Sequence, residues 1–228
     1  MSTHDSSYFQ VALSTSLVVY GFDGENLLTL IGQKPQEPYK GAPMLPTTMV
    51  KPDQSVEDAA AAVLTESLGL SDYYLEQLNA FSKLYRKPEG RVVNIAHYSL
   101  IKHELMERKP AAGYQWIRPK EMPDLVYDHN QIFDFAQERL KRRVKHRPIG
   151  FRLLPKEFSF NQIHLLYEQT LGKKLDKRNF HKKLMRSKLL IDEHKAEKMD
   201  GSNKPSHLYS FNEKRYNKLN LRGYDFKF

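Results

Sequence analysis

The positive charge of this chain is confined to its last third. Residues 1–150 hold 18 Lys+Arg and 18 Asp+Glu, so the whole net charge of +9 falls on residues 151–228. A chain that sets a neutral stretch before a basic one is organised as two modules, and the basic one is suited to a polyanion. A solvated basic surface has the same composition, so charge locates a partner surface without naming the partner. The 228 residues suffice for one or two domains with a real core, and 40% hydrophobic and 11% aromatic content suits folded protein.

Cysteine is absent, which excludes disulfides, thiolate metal sites and cysteine nucleophiles. Residues 1–7 are polar, and no apolar run approaches the ~18 residues of a membrane span. The expectation is a cytoplasmic protein with no membrane partner and no disulfide framework.

The first module alternates strands and helices. Residues 11–22 and 27–32 read as strands around a Gly/Asn turn. Residues 40–48 are irregular. A helix is expected over 56–68, introduced by Ser55 and ended by Gly69, with Val56, Ala59, Ala60, Val63 and Leu64 in one apolar stripe. Residues 75–85 and 92–101 form a second strand pair, followed by a short strand at 114–117. A helix over 130–145, capped by Asp128, completes the module. Its last turns carry the basic run 139–147, a solvated helix face or an arm near phosphates. Pro148, Ile149 and Gly150 break that helix and mark a boundary between residues 1–147 and 148–228.

The second module reads as helix, turn, helix and two-stranded hairpin. Ser159 and Gln162 have the spacing of a capping box, Ile163, Leu166 and Tyr167 form an apolar stripe, and Gly172 ends the helix. A second helix opens at Asp176 and runs to about Ser187, and residues 189–193 can pair with 207–211. This is the outline of a winged helix-turn-helix. The second helix divides by face: Phe180 and Leu184, four apart, anchor the inner side, while Arg178, Asn179, Lys182 and Arg186 project outward, flanked by Lys183. Arg can bridge guanine O6/N7, Asn can bridge adenine N6/N7, and Lys reaches phosphate, so this is the residue set a recognition helix requires. Asn203 and Lys204 at the wing tip are candidates for phosphate or minor-groove contact. The start of the first helix, with Ser159, Asn161 and Gln162, is a further phosphate candidate.

Residues 45–70 resemble a Nudix box stripped of its carboxylates. The Nudix pattern places a Gly at Thr48, a Glu at Gln54, an Arg-Glu pair at Ala62-Val63 and a Glu-Glu pair at Glu66-Ser67, while Leu64, Gly69 and Leu70 still fit. Nudix enzymes hold Mg²⁺ on those carboxylates. Glu66 alone does not rebuild the cluster, so the expectation is no catalytic residue and no metal. With Arg86-x-Pro-x-x-Arg91-Val-Val-x-Ile-Ala, Tyr127-Asp-His129, Pro148-Ile-Gly-Phe-x-Leu-Leu-Pro155-x-x-Phe158 and Asp176-Lys-Arg-Asn-Phe180, the chain resembles the Nudix-related transcriptional regulators over nearly its whole length.

That resemblance implies an α+β fold, an N-terminal Nudix-like α/β/α sandwich followed by a C-terminal winged helix-turn-helix domain. It implies a repressor acting as a homodimer on a palindromic operator in double-stranded DNA, with no cofactor. Its sensor would take a small effector, a sugar such as arabinose or a nucleotide sugar such as ADP-ribose. Tyr39, Lys40, Arg86, Arg91, Asn94 and His97 are candidate lining residues, each equally suited to a structural role. The chain departs from the family at Arg86-Lys87-Pro88, Gly41-Ala42-Pro43 and Thr47-Thr48, so the pocket is rebuilt relative to the pattern. A Mg²⁺-dependent pyrophosphohydrolase acting on ADP-ribose, with a basic appendage, is the enzymatic alternative.

Overall fold

The computed structural model describes residues 10–71, 73–197 and 205–220. The chain gathers into two compact units. The first comprises residues 1–20, 28–100 and 108–136; the second comprises 21–27, 101–107 and 137–228. The chain therefore passes between the units at 20/21, 27/28, 100/101, 107/108 and 136/137. Pro148, Ile149 and Gly150, expected to break the preceding helix, open a 3₁₀ turn, Pro148–Leu153, in which Pro148, Ile149, Gly150, Phe151 and Leu153 are buried.

The first unit is built on a mixed sheet. Strands β1 (Ala12–Phe22), β2 (Leu27–Gln33), β3 (Pro43–Met44), β5 (Tyr74–Phe81) and β6 (Val92–Leu100) lie in the order β3-β2-β1-β6-β5, with β4 (Thr47–Met49) pairing β1 and β7 (Tyr114–Ile117) pairing β2. β1 and β6 are parallel in register from Ala12↔Val92 to Tyr20↔Leu100. The pairs β1–β4, β2–β3, β2–β7 and β5–β6 are antiparallel. The irregular 40–48 stretch thus contains two short strands, and the strand expected to reach residue 85 stops at Phe81, four residues before Tyr85 turns left-handed at φ 57°.

Helix α1 (Val56–Leu68) starts where Ser55 accepts the Asp58 N–H and ends at Gly69, left-handed at φ 64°. That conformation costs glycine little. Its buried face is Ala59, Ala60, Val63, Leu64, Ser67 and Leu68. Helix α2 (His129–His146) leaves the first unit after residue 136. Successive β1 side chains alternate between faces. Tyr20 feels the charge of Asp134 in α2, whereas His97, bonded to Thr15 on the other face, feels Glu57 in α1. The charges of α2 and α1 thus reach side chains on opposite faces of the sheet.

The second unit contains β8 (Phe158–Ser159), α3 (Phe160–Leu171), α4 (Lys177–Ser187), β9 (Leu190–Glu197), β10 (Ser206–Phe211) and α5 (Glu213–Asn220). Its sheet runs β8-β10-β9, antiparallel throughout. The expected hairpin is present with an extra edge strand, and α5 was not foreseen. The capping box forms: Ser159 Oγ accepts the Gln162 N–H at 3.2 Å, and Gln162 Oε1 accepts the Ser159 N–H at 2.8 Å. Phe151 stacks on Phe211 with ring centroids 4.4 Å apart, closing a core with Phe158, Ile163, Leu166 and Tyr167.

Candidate nucleic-acid interface and sensor site

Asp176 caps α4 by accepting the Asn179 N–H at 2.7 Å. Only Phe180 and Leu184 of this helix are buried. Phe180 sits among the α3 rings of Phe160, His164 and Tyr167, with centroids 5.7, 5.4 and 5.2 Å away. Those contacts fix how the rest of α4 is presented. Arg178, Asn179, Lys182, Lys183 and Arg186 are all exposed, and among the described residues none of their side chains has an ion-pair or hydrogen-bond partner. A row of uncompensated cations with one amide on a rigidly packed helix suits phosphate and base-edge contacts.

Two other DNA candidates fare differently. Asn203 and Lys204 lie outside the described residues. The α3 start is committed internally, since Ser159 and Gln162 are buried and each side chain accepts the other's backbone N–H. An end closed in that way leaves little for a phosphate.

In the sensor unit the box residues separate. Thr48 lies in β4 opposite Thr15, and Gln54 is half-buried in the loop before Ser55. Val63 is 2% exposed, and Ser67 is fully buried, its hydroxyl donating to the Val63 carbonyl at 2.6 Å. Ala62 and Glu66 are exposed. One exposed carboxylate beside an alanine, with a valine and a back-bonded serine turned inward, does not fit the clustered oxygen donors that Mg²⁺ needs.

A cleft of about 770 Å³ opens elsewhere in the first unit, lined by Tyr39, Lys83, Tyr85, Arg86, Tyr127 and Gln131 among others and by none of the box residues. That volume is typical of small-molecule sites. Arg86 is clamped beneath it: Nε donates to Asp128 Oδ2 at 2.9 Å and Nη2 to Asp128 Oδ1, while Nη1 is buried with no partner. The Asp128 carboxylate, expected to cap α2, is therefore taken by Arg86. Tyr127, left-handed at φ 58°, donates its hydroxyl to Glu89 at 2.7 Å. The Lys87 ammonium lies 5.1 Å over the Tyr127 ring, and Tyr39 meets that ring edge-on at 5.9 Å. Burial, then the neighbouring Arg86 charge, holds Lys87 below the ordinary lysine range. Burial pulls the Glu89 carboxyl upward, but the Tyr127 bond and nearby cations bring it below its usual value.

The remaining sensor candidates are dispersed. Lys40 is exposed. Arg91 donates to the carbonyls of Ser82 and Lys83 at 2.8 and 3.2 Å, bracing the loop after β5. Asn94 donates to Ser14 and Ser16 hydroxyls inside the sheet. His97 is 1% exposed, with Nδ1 3.0 Å from Thr15 Oγ1, and burial lowers its pKa. The structure thus brings Tyr39 and Arg86 to the cleft and leaves Lys40, Arg91, Asn94 and His97 out of its lining. Lys87, Glu89 and Asp128 were missed because their partners are up to 42 residues away. Only the Tyr127-Asp-His129 stretch hinted at that grouping.

Comparison with known proteins places these features in context. Residues 150–211 match the family model of the NrtR DNA-binding winged helix domain. The chain is 25% identical, over 98% of its own length and 88% of the relative's, to the ADPR responsive transcriptional repressor NtrR of Acinetobacter baylyi. It is 28% identical, over 56% of its length and 76% of the relative's, to an ADP-ribose pyrophosphatase of Methanocaldococcus jannaschii. Its fold resembles that of Shewanella oneidensis NrtR crystallised with a 27mer DNA, at a TM-score of 0.76 and 22% identity, covering 94% of this chain and 97% of that one. The separate Nudix domain of S. oneidensis NrtR with ADP ribose superposes at a TM-score of 0.50 and 22% identity, covering 60% of this chain and 99% of that one.

Proposed function

We propose that this chain, which belongs to the Nudix-related transcriptional regulator family, represses transcription as a homodimer on a palindromic operator and releases it when ADP-ribose occupies its Nudix-like module. Residues 1–147 sense, apart from segments 21–27, 101–107 and 137–147, which belong to the second unit, and residues 148–228 read. The observation that carries the DNA half is the outer face of α4, where Arg178, Lys182 and Arg186 have no partner among the described residues while Phe180 and Leu184 lock the helix from behind. Two copies of such a helix, related by a two-fold axis, would meet successive major grooves of a palindrome.

Of the two effector classes implied by sequence, the relatives favour the nucleotide one. The A. baylyi repressor is named for its response to ADPR, and the S. oneidensis domain was crystallised with ADP ribose. The cleft lined by Tyr39 and Arg86 also has Tyr85 in its wall, two tyrosine rings suited to a base, and Lys83, a cation suited to a diphosphate. Lys40 and Arg91 would act from outside its rim. ADP-ribose must bind the free and operator-bound states unequally to act as a release signal.

Electrophoretic mobility shift of a palindromic promoter fragment, titrated in parallel with ADP-ribose and arabinose, tests this reading. Sequence-preferring binding released by ADP-ribose but not by arabinose is expected. The M. jannaschii pyrophosphatase represents the enzymatic alternative. Mg²⁺-dependent cleavage of ADP-ribose, abolished by Glu66→Gln, would replace repression with hydrolysis as the activity.

A further inference from the structure

The β1–β2 turn, residues 21–27, is built into the DNA-reading unit. Asp23 folds the turn on itself, accepting the N–H groups of Glu25 and Asn26 at 2.8 and 2.6 Å. Gln169, in the last turn of α3, then grips it with both ends of its carboxamide. Oε1 accepts the Leu27 N–H at 2.7 Å, and Nε2 donates to the Glu25 carbonyl at 2.6 Å. This is the hydrogen-bond pair a neighbouring strand would supply, delivered by one side chain from 142 residues away. Seven residues earlier, two turns along the same face of α3, Gln162 lies under the other end of the turn. A Cβ added at Gly24 would meet its Nε2 at 3.4 Å and His103 Cε1 at 3.6 Å.

A second loop reaches the same unit. His103 Nδ1 donates to the Phe22 carbonyl at 2.8 Å, and Glu104 accepts the Lys156 N–H at 3.1 Å. These loops continue directly from β1, β2 and β6, the strands of the sensor sheet. On the far side of α3, Phe160, His164 and Tyr167 hold Phe180 of α4. One short helix thus carries the sensor's turn on one side and the DNA-reading helix on the other.

We propose that Gln169 is a positioning residue for the effector response: its carboxamide locks the β1–β2 turn to α3, so that this turn and the α3 face holding Phe180 and α4 are displaced only together. The proposal rests on the regulator reading above. Gln169 is itself exposed, so its role is separable from packing of the core, and it touches neither the α4 DNA face nor the sensor cleft. Two-site coupling in such systems spans about 5–150-fold in affinity, a range in which two hydrogen bonds of ordinary strength carry weight.

The test uses the full-length protein, with operator affinity measured with and without ADP-ribose and effector binding followed by thermal shift. Wild type is measured first. No operator binding, or none that ADP-ribose alters, means that the regulator reading has failed. Given a wild-type response, Gln169→Ala is expected to bind the operator alone within about 3-fold of wild type and to keep its ADP-ribose thermal shift, while its effector response falls below about 2-fold. Gln169→Glu, which keeps the acceptor for Leu27 and loses the donor for Glu25, should lie between the two. A full response retained in Gln169→Ala overturns the proposal. So does a loss of effector-free operator binding, since Gln169 would then belong to the fold of the reader and not to its coupling.

Discussion

Arg86 and Asp128 form a buried two-point ion pair, the arginine side chain 1% and the aspartate 8% exposed. The pair ties the loop after β5 to the residue just before α2. Removing one partner strands a charge away from water, a change that costs about 3–5 kcal/mol. Asp128→Ala should therefore lower unfolding stability in urea by about that amount, and Arg86→Ala similarly. The double variant should lose less than the sum of the two. Strict additivity would mean the two side chains do not act as a pair.

His129 makes stability depend on pH. Its Nδ1 accepts the Leu45 N–H at 3.1 Å, so the ring is neutral. Burial pushes its pKa down to about 3, with Arg86 and Lys87 acting in the same direction and Asp128 opposing. The unfolded chain takes up this proton near pH 6.5. Stability is thus complete above about pH 6.5 and is lost as pH falls toward 3, at about 1.4 kcal/mol per unit for one such group. His97, also held low by burial, adds to the slope. Urea unfolding between pH 6.5 and 4 should show a shallower slope for His129→Gln than for wild type. Equal slopes would place the sensitivity elsewhere.

On α4, arginine and asparagine should separate from lysine. Arg178→Ala, Asn179→Ala or Arg186→Ala should each cost about 1–3 kcal/mol and relax sequence preference at particular operator positions. Lys182→Ala or Lys183→Ala should weaken all sequences alike and reduce the slope of log affinity against log salt by about 1. Competition binding at several salt concentrations distinguishes the two patterns. Uniform weakening by every variant would describe a non-specific basic helix.

Phe180 holds that surface in place. Phe180→Ala should cost about 3–5 kcal/mol and abolish operator binding together with the stability of the second unit. Calorimetric melting that leaves this unit intact while binding is lost would mean that Phe180 orients α4 without supporting the core.

Local signals explain what could be seen from sequence. Ser55 before α1, the Ser159/Gln162 box and Asp176 before α4 are each decided within three residues, and the stripe periodicity of the helices needs no distant information. The Phe180/Leu184 inner face and the cationic outer face of α4 were legible on the same ground. Asp128 has the look of a local cap, and only the fold brings Arg86 to compete for its carboxylate. The strand end at Phe81, the two-residue β8 and the role of Gln169 likewise depend on contacts far along the chain. The wing tip with Lys204 lies outside the described residues.

The grip of Gln169 on residues 25–27 bears on how such proteins exchange parts. A gene fusion joined between codons 147 and 148 would inherit α3 and α4 but leave the turn and the 101–107 loop behind with the old partner. Gln169 would face a foreign hairpin, and Lys156 would lose Glu104. Sensor and reader are then expected to be inherited as a matched set, and a chimaera that works should need the donor's β1–β2 turn grafted along with its DNA-binding helices.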